Sequence, residues 1–328
     1  MMADNKSDQE DFRRMNRKKW DAYIYGDVNI DLVVPGVEHF PAPGQEDEVN
    51  TMETFVGGGA ALFTLGLGKL GLHPVFQGEI GDDCYGDLII REFAAQNVDC
   101  SLLKRSSTGK TGISISFTNE RDRSFLTYRG TNAGISICRV ELDKVRQAGH
   151  IHVTGYEGIS NHQDYLGLLR QVKEETDATV SFDVGWDASG KWYQGIYDLF
   201  PYIDVLFMNE TEARHYSRKK DAGEAAVDFA GSCGMAVIKL GERGSLAVKD
   251  GIVYEAPAFM VKAVDTTGAG DSFNAGFVYG WLKKMDIRAC LECGNGCGAL
   301  NVTALGGNTG FPDEKTLFAF IKAQKERN

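Results

Sequence analysis

The sequence lacks any apolar run as long as the roughly 18 residues that a membrane-spanning helix needs. It also lacks internal repeats and low-complexity tracts, and its first 20 residues are polar, without the apolar segment of a secretory signal. We therefore expect residues 1–20 to form a disordered leader. We also expect a cytoplasmic protein without a membrane partner.

An excess of basic residues is lacking too. Lys and Arg number 35 against 46 Asp and Glu, which gives a formal net charge of −11. Nucleic acids and anionic membrane surfaces are bound through basic surfaces, so neither is an expected partner. An anionic small molecule is not excluded, because a local site can still be positive.

The seven cysteines show no paired spacing of a disulfide framework. Cys290, Cys293 and Cys297 are three and four residues apart, which is the spacing of one face of a helix. No further cysteine pair and no His-x3-His segment accompanies them. Helix packing in a reduced setting is therefore the preferred interpretation, and a metal site is the weaker one.

Secondary structure in the second half of the chain follows a regular alternation. From about residue 150 onward, short β-branched runs alternate with longer amphipathic stretches. This alternation predicts right-handed crossovers and a parallel sheet with helices on both faces. Strands are predicted at 150–155, 178–184, 203–209 and 235–240. Helices are predicted at 162–176, 222–233, 271–284, 287–304 and 312–326.

The first 130 residues show a different pattern. Residues 22–37 begin as one strand and continue as a second extended segment. Segments 111–118 and 123–130 are joined by the short polar turn "NERD". Their period-two alternation predicts a half-exposed antiparallel pair.

These patterns together predict the fold class and its division. The predicted fold is α/β: a doubly wound, mostly parallel sheet flanked by helices, with a small β-sheet lid. The domain is expected to span 21–328, with the lid from about 28–54 and 109–131. Exposed edge strands of a lid invite pairing with a second copy, so a homodimer through the lid is expected.

Two glycine patterns have nucleotide-binding spacing but lack the required context. "GLGKLG" (66–71) fits G-x-G-x-x-G, yet no strand directly precedes it, so a dehydrogenase is a weak alternative. "KRSSTGKTG" (104–112) contains Gly-Lys-Thr, but Lys104 stands where a P-loop requires glycine. The glycines at 57–59 instead open an apolar helix. Bare N–H groups there can receive a ligand oxygen, or the glycines can serve a tight turn.

The stretch "VDTTGAGDSFNAGF" (264–277) carries the strongest chemical signal. Gly268, Ala269 and Gly270 can turn successive N–H groups toward one point, and a helix starting near Asp271 adds its positive dipole end. Together they predict an anion hole suited to a transferring phosphoryl group. Asp271 can act as the base that deprotonates an attacking hydroxyl, or alternatively as a helix N-cap.

With these residues in view, the sequence resembles the ribokinase-like, or PfkB, carbohydrate kinases. "DTTGAGDSFNAGF" looks like the C-terminal signature of that family, and 57–87 resembles its N-terminal signature. "GDVNIDLVVPG" (26–36) resembles the opening strand, and "MNETEA" (208–213) and "IKLGERGS" (238–245) resemble nucleotide-side motifs. The resemblance covers about 22 to 325 and implies transfer of the ATP γ-phosphate to an alcohol.

The resemblance also implies roles for individual residues. Asp271 would be the catalytic base, with Gly268, Ala269 and Gly270 as the anion hole. Substrate binding falls to Asp31, Asn29, Gly57 and Gly58. ATP binding falls to Asn209, Glu212, Lys239, Gly241, Gly244 and Asn295. Glu212 would hold Mg²⁺ through water, and Asp265 and Thr267 match positions that hold a monovalent cation, such as K⁺, in some members.

Departures from the family pattern bear on the substrate. Leu62 stands where many members carry an Asn that helps to hold the sugar, so ribose itself is disfavoured. Tyr156 or Glu157 is the candidate in place of the ribokinase-type glutamate. Arg129 stands where sugar kinases often have proline; it suits a carboxylate or phosphate, or it is simply a lid-surface residue. Gly310 offers no side-chain ligand, which leaves the cation requirement open.

The resulting prediction is an ATP-dependent kinase for a small sugar or sugar acid, with Mg²⁺ and an open requirement for K⁺. Fructose-like and 2-keto-3-deoxygluconate-like acceptors both fit. A nucleoside kinase of the same fold is the nearest alternative, and it would need the aromatic slot that Tyr128 or Phe125 could supply. A non-catalytic sensor of a sugar or nucleotide is the alternative from another class, although it would have no need of a base.

Overall fold

The structure, a computed structural model, describes residues 18–37, 40–118 and 123–326. Residues 1–17 of the expected leader (1–20) lie outside the described residues, and so does the turn at 119–122. Residues 18–20 are described. Trp20 belongs to the folded domain. Its side chain is buried, and its indole N–H donates to Asp99 Oδ2 at 2.8 Å.

Strands and helices alternate along most of the described chain. The strands are β1 (Ala22–Tyr25), β2 (Asn29–Pro35), β3 (Glu53–Gly57), β4 (Pro74–Gly81), β5 (Asp99–Ser106), β6 (Gly112–Thr118), β7 (Arg123–Tyr128), β8 (His150–Val153), β9 (Thr179–Asp183), β10 (Val205–Asn209), β11 (Ala236–Lys239), β12 (Ser245–Lys249) and β13 (Ile252–Ala256). The helices are α1 (Gly59–Lys69), α2 (Cys84–Ala95), α3 (Leu142–Val145), α4 (His162–Glu175), α5 (Glu210–Ser217), α6 (Ala222–Ala230), α7 (Ala269–Leu282), α8 (Ile287–Asn301) and α9 (Glu314–Lys325). Every strand and helix that the sequence predicts from residue 150 onward is confirmed, with ends that differ by up to three residues.

The main sheet has nine strands in the order β13-β12-β11-β10-β9-β8-β1-β4-β5. Neighbouring strands from β5 to β11 run parallel, and β12 and β13 add an antiparallel edge. The chain winds outward from β1 through β4 to β5, and from β8 through β11 in the other direction. This confirms the predicted doubly wound, mostly parallel sheet, whose winding reverses between β1 and β8.

A separate four-stranded sheet, here called the small sheet, has the order β3-β2-β6-β7. Strand β2 pairs antiparallel with β3 and parallel with β6, and β6 pairs antiparallel with β7. The predicted antiparallel pair and the predicted second sheet are therefore confirmed.

Apolar side chains of the main sheet point alternately to two cores. In β10, Val205 and Phe207 join the cluster beneath α1, α2, α7, α8 and α9, whereas Leu206 and Met208 join the cluster beneath α4, α5 and α6. A strand that is buried on both faces reads as a continuous apolar run, which is why this segment was recognisable.

The cysteine face of α8 lies against α7. Cys290, Cys293 and Cys297 are buried and free, and a Cβ on Gly276 of α7 would lie 2.5 Å from Cys293 O. Within residues 18–37, 40–118 and 123–326, no His, Cys, Asp and Glu side chains cluster in a group of three or more that could hold a metal ion. The helix-packing interpretation of this cysteine pattern is confirmed.

The same described residues contain no helix with the length and apolar character to cross a membrane.

Candidate active site

A cavity of about 710 Å³ opens where the winding of the main sheet reverses. Asp27, just after β1, lines it together with Thr154, Gly155 and Tyr156, which follow β8. The small sheet contributes Asn29 and the end of β7. Open α/β sheets bind ligands at this switch point, beyond the carboxyl ends of the strands. The topology alone therefore marks the cavity as the candidate substrate site.

The start of α7 is built from bare backbone. Gly268 takes the N-cap position with φ 68°, and no side chain caps this end. A Cβ on Gly268 would lie 2.5 Å from Gly307 O, so glycine is required here. Ala269 N–H donates to Thr266 O at 3.3 Å, so this amide of the predicted anion hole already has a partner in the loop. The positive end of the helix dipole remains uncapped by any side chain.

Asp271 lies in the first turn of α7 and not at its N-cap, which excludes the capping alternative. Burial raises the pKa of Asp271 to about 8, repulsion from Asp183 adds to the rise, and Lys239 opposes it. A Cβ on Gly59 would lie 3.3 Å from Asp271 Oδ1, and Gly59 lines the cavity. The absence of a side chain at Gly59 therefore lets the Asp271 carboxyl stand beside the cavity.

Asp27 is a site residue that the sequence analysis missed. Its Oδ2 accepts from Gly59 N–H at 3.0 Å, and its Oδ1 accepts from Ala60 N–H at 3.1 Å. Of the glycines at 57–59, whose N–H groups could receive a ligand oxygen or serve a tight turn, Gly59 already donates to a side chain of the protein. Its amide is therefore not available to a ligand.

Asp31 and Asn29 stand side by side on β2. Asn29 Nδ2 donates to Asp31 Oδ1 at 2.7 Å. Burial raises the pKa of Asp31 to about 6, although the hydrogen bond from Asn29 lowers it. A Cβ on Gly57 would lie 2.3 Å from the Asp31 carboxylate, so glycine there leaves room for the acid. Gly58 has φ 96° and would clash with Asp27 O if it carried a side chain.

Lys239, at the end of β11, belongs to a buried polar cluster. Its Nζ donates to Asp183 Oδ2 at 2.9 Å and to Asn274 Oδ1 at 3.3 Å, and Asn274 Nδ2 donates to Asp183 as well. Burial would lower the pKa of Lys239, but the neighbouring carboxylates of Asp183 and Glu212 raise it above its ordinary value. Asp183 and Asn274 were missed. An acid that ends a buried parallel strand was the available signal for Asp183, because such ends converge on one edge of the sheet.

This cluster lies next to the start of α7. A Cβ on Gly270 would lie 3.4 Å from Lys239 Nζ. Burial raises the pKa of Asp183, but the adjacent Lys239 ammonium outweighs it and holds that pKa below the ordinary range. The structure therefore brings Lys239, Gly270 and Asp271 together, as their shared assignment to one site requires.

Asn209 and Glu212 form a capping box at the start of α5. Asn209 Oδ1 accepts from Glu212 N–H at 2.9 Å, and Glu212 Oε2 accepts from Asn209 N–H at 2.8 Å. Burial, followed by repulsion from Asp183, raises the pKa of Glu212. Both side chains thus have a structural role, and Glu212 also faces the electrostatic field of the Lys239 cluster.

The other nucleotide-side residues lie along the antiparallel edge of the main sheet. Gly241 and Gly244 have φ of 60° and 97° and bound the turn between β11 and β12. Asn295 of α8 donates to Ala256 O at 3.0 Å and to Pro257 O at 3.1 Å. Its amide therefore holds the backbone after β13.

Asp265 ties the loop before α7 to the loop after α8. Its Oδ1 accepts from Thr267 N–H at 2.9 Å and from the Thr267 hydroxyl at 2.7 Å, and its Oδ2 accepts from Gly306 N–H at 3.0 Å. Leu62 is buried nearby: a Cβ on Gly307 would lie 2.8 Å from its Cδ1. At this position Leu62 packs between loops and does not line the cavity.

Arg129 and Tyr156 both line the cavity. Arg129 is exposed and follows β7 directly. Tyr156 is buried, and its hydroxyl is hydrogen-bonded to His162 Nδ1 at 3.0 Å. Tyr156 can therefore offer a ring surface to a ligand more readily than its hydroxyl.

Comparison with known proteins places this chain in a family. The family model described as pfkB family carbohydrate kinase matches residues 21–314. A protein of Archaeoglobus fulgidus named uncharacterized sugar kinase is 29% identical over 251 residues, 76% of this chain and 98% of that protein. An ATP-dependent ribose-1-phosphate kinase of Halopiger xanaduensis is 28% identical over 300 residues, 90% and 96% of the two chains.

A 2-dehydro-3-deoxygluconokinase of Bacillus subtilis is 28% identical over 293 residues, 85% of this chain and 90% of that protein. Among solved structures, the ribokinase of Thermotoga maritima superimposes with a TM-score of 0.77 at 26% identity, covering 92% of this chain and 99% of the other. The Arabidopsis thaliana ribokinase bound to ribose and ATP shares the fold, with a TM-score of 0.79 at 24% identity over 92% and 99%. Since the family model covers the described domain almost entirely, the chain belongs to the pfkB family of carbohydrate kinases.

Proposed function

We propose that the protein transfers the γ-phosphate of ATP to a hydroxyl group of a small sugar or sugar acid. The observation that carries this proposal is the position of Asp271. It lies in the first turn of an uncapped helix, beside Lys239, and it borders the switch-point cavity past Gly59. A base, an anion-binding backbone and a binding cavity thus converge on one point, as phosphoryl transfer requires.

The acceptor hydroxyl is placed between the Asp271 carboxylate and the γ-phosphate. Asp271 orients this hydroxyl and takes its proton as the phosphoryl group is transferred. A pKa of about 8 suits a base that works near neutral pH, because it is strong enough to accept the proton yet ionised in a usable fraction. Asp31 and Asn29, on the small sheet, bind other hydroxyls of the sugar and hold it in place.

The start of α7 and Lys239 stabilise the charge on the transferring group. The helix dipole and the amides of Gly268 and Gly270 favour an anion there, whereas Ala269 would contribute only by exchanging its 3.3 Å hydrogen bond to Thr266 O for one to the phosphoryl group. Lys239 adds a full positive charge next to Gly270, and its ion pair with Asp183 fixes its position. Asn209, Gly241, Gly244 and Asn295 would shape the nucleotide side, the last through the backbone after β13.

Mg²⁺ fits the acids on the nucleotide side. Magnesium commonly binds through one or two carboxylates plus substrate phosphates and keeps several waters, so a cage of protein ligands is not needed. Glu212 uses Oε2 to accept from Asn209, and within the described residues no hydrogen bond engages its Oε1. Glu212 would hold the ion through water, and the ion would neutralise phosphate charge.

A monovalent cation beside Asp265 and Thr267 is also part of the proposal. These residues already link two loops next to the start of α7, so a cation there would act by stiffening that start. The kinase assay run in K⁺ and in tetramethylammonium tests this point. Equal turnover in the two salts would argue against the cation.

The proposal also includes a homodimeric assembly and a location in the cytoplasm. The small sheet leaves large apolar side chains exposed on β7, which favours a homodimer through this sheet. The described cysteines are free, as expected for a protein of the cytoplasm, where ATP is available.

Release of ADP from Mg-ATP, measured against a panel of pentoses, hexoses, sugar acids and nucleosides, tests the proposed reaction. Asp271→Asn should bind ATP normally yet lose turnover by about 10²- to 10⁴-fold, because the base is gone. Asp177→Asn, which changes an exposed acid that does not line the cavity, is the matched control and should keep full turnover. Near-normal turnover in Asp271→Asn would refute the base assignment. Binding of a sugar without ADP release from any acceptor would favour a sensor.

A further inference from the structure

The wall of the switch-point cavity carries more acidic than basic side chains. Among its described residues, the carboxylates are Asp27, Glu157, Asp164 and Asp187, and the one guanidinium is Arg129. No Lys is found among the described residues of this wall. A ligand in the cavity therefore meets four acids and one base.

Two of the four acids are bound by the protein itself. Asp187 Oδ1 accepts from Ser189 N–H and Oγ at 2.8 and 2.6 Å, and its Oδ2 accepts from Trp192 N–H at 2.6 Å. Asp27 is held by two amides at the start of α1. Burial raises the pKa of Asp187, but the hydrogen bonds from Ser189 and Trp192 outweigh it and hold that pKa below its ordinary range, so Asp187 keeps a negative charge next to the ligand.

The other two acids carry charge that no basic side chain of the described chain neutralises. Glu157 and Asp164 are exposed at the cavity wall, and within the described residues neither forms an ion pair with a Lys, Arg or His. Asp31 does not line the cavity, but it accepts a hydrogen bond from the wall residue Asn29 and so adds a further carboxyl next to the wall. The attraction of Arg129 for an anionic ligand is thus opposed by repulsion from several carboxylates.

We propose that the acceptor is an uncharged sugar and that the cavity discriminates against acidic and phosphorylated sugars; this inference rests on the proposed kinase function. An anionic acceptor would gain one guanidinium contact and would be repelled by the acids around it, and like charges at a binding site are costly. An uncharged sugar offers hydroxyl donors that carboxylates accept well. The chain would then differ in substrate charge from the relatives named for ribose-1-phosphate and 2-dehydro-3-deoxygluconate.

Two sets of acceptors test the inference. The uncharged set is ribose, fructose, glucose and adenosine, and the anionic set is ribose 1-phosphate, 2-dehydro-3-deoxygluconate and 5-dehydro-2-deoxygluconate. The best uncharged acceptor should exceed the best anionic one in kcat/KM by about tenfold or more at low salt. The gap should narrow as salt rises to about 0.5 M, because screening weakens the repulsion. An anionic acceptor that outperforms every uncharged one would overturn the inference and leave the kinase function standing.

Charge-neutralising variants provide a second test, the ratio of kcat/KM for anionic to uncharged acceptors, which would not change if these acids had only a structural role. In Glu157→Gln combined with Asp164→Asn, the ratio of kcat/KM for anionic to uncharged acceptors should rise several-fold at low salt. Asp177→Asn, which removes an exposed charge away from the cavity, should leave that ratio unchanged. An unchanged ratio in the double variant would count against the inference.

Failure of the kinase function would be visible separately, as no ADP release with any acceptor. Calorimetric binding of the same seven compounds to the full chain then decides the inference on its own. Tighter binding of an uncharged compound supports it. Tighter binding of an anionic compound, or no binding of any uncharged one, overturns it.

Discussion

The carboxyl of Asp271 is held in a setting that favours its protonated form. Its pKa is about 8 in the folded protein, mainly through burial, and about 3.9 in an unfolded chain. Between these values the folded state binds more protons than the unfolded state. Stability therefore falls as pH rises from about 4 to about 8, because ionisation of this carboxyl is costlier in the fold.

Asp271→Asn removes that ionisation and should change stability in a pH-dependent way. We expect the variant to have a higher Tm than the parent protein, with a gap that is larger at pH 8 than at pH 5. Thermal unfolding at both values measures the gap, and Asp177→Asn, which changes an exposed acid, should show none. A gap that is the same at both pH values would mean that Asp271 is not buried as an acid.

At the level of single residues, the sequence suggested a centre for the candidate site but not the side chains that support it. Asp271 could be proposed because it follows a glycine-rich segment whose spacing has a chemical meaning, and Lys239 because its segment resembles a family motif. Asp183 gave only the signal of an acid that ends a buried strand, because its contact with Lys239, like that of Asn274, depends on how β9, β11 and α7 come together in the fold. Asp27 was missed because its partners, the amides of α1, lie more than 30 residues away.

Among the elements, α7 shows how a loop fixes the position of the side chain proposed as the base. The sequence predicted a helix over 271–284, whereas α7 begins at Ala269, because Gly268 takes the N-cap. This shift of two residues moves Asp271 from a capping position into the first turn. The difference matters for the proposed function, since an N-cap carboxylate is engaged by the amides of the first turn, whereas no side chain caps α7.

Gly268→Ala should disrupt this arrangement. The position has φ 68°, and a Cβ would lie 2.5 Å from Gly307 O, so strain and a backbone clash combine. We expect a loss of about 1–3 kcal/mol in the free energy of unfolding, measured with denaturant, together with a large fall in kcat as the first turn moves.

The Gly251→Ala variant separates the strain of the left-handed conformation from the clash of the added Cβ. Gly251, in the turn between β12 and β13, has φ 75° but open space around it, so only the strain of the left-handed conformation applies. Its cost should be smaller, about 1 kcal/mol, and its turnover should match the parent protein. Equal costs in the two variants would show that the Gly307 contact contributes nothing.

For the whole molecule, the α/β class and the small sheet followed from the sequence because each rests on local periodicity. Continuous apolar runs marked strands that are buried on both faces, and alternating runs marked the half-exposed pair. The order of the strands did not follow, because periodicity says nothing about which neighbours pair. The place where the winding reverses, and with it the cavity between β1 and β8, became visible only in the structure.

The outer strand of the small sheet bears on how two copies would associate. In β7, Phe125, Leu126 and Tyr128 are 55%, 61% and 55% exposed, and β7 pairs with a neighbour on one side only within the described sheet. An edge strand with large apolar side chains is an unstable surface for a monomer in water. We therefore expect light scattering at micromolar concentration to give twice the mass of one chain.

Leu126→Lys should shift the protein toward the monomer, because a charge at the centre of this surface would have to be desolvated on association. Val227→Lys, at an equally exposed apolar position on α6, is the matched control and should leave the mass unchanged. Both substitutions change exposed side chains, so both variants should fold, which circular dichroism would verify. A monomeric parent protein, or equal dissociation in the two variants, would remove the small sheet as the interface. If Leu126→Lys also lowers turnover, the partner copy contributes to holding the small sheet, with Asn29 and Asp31, over the cavity.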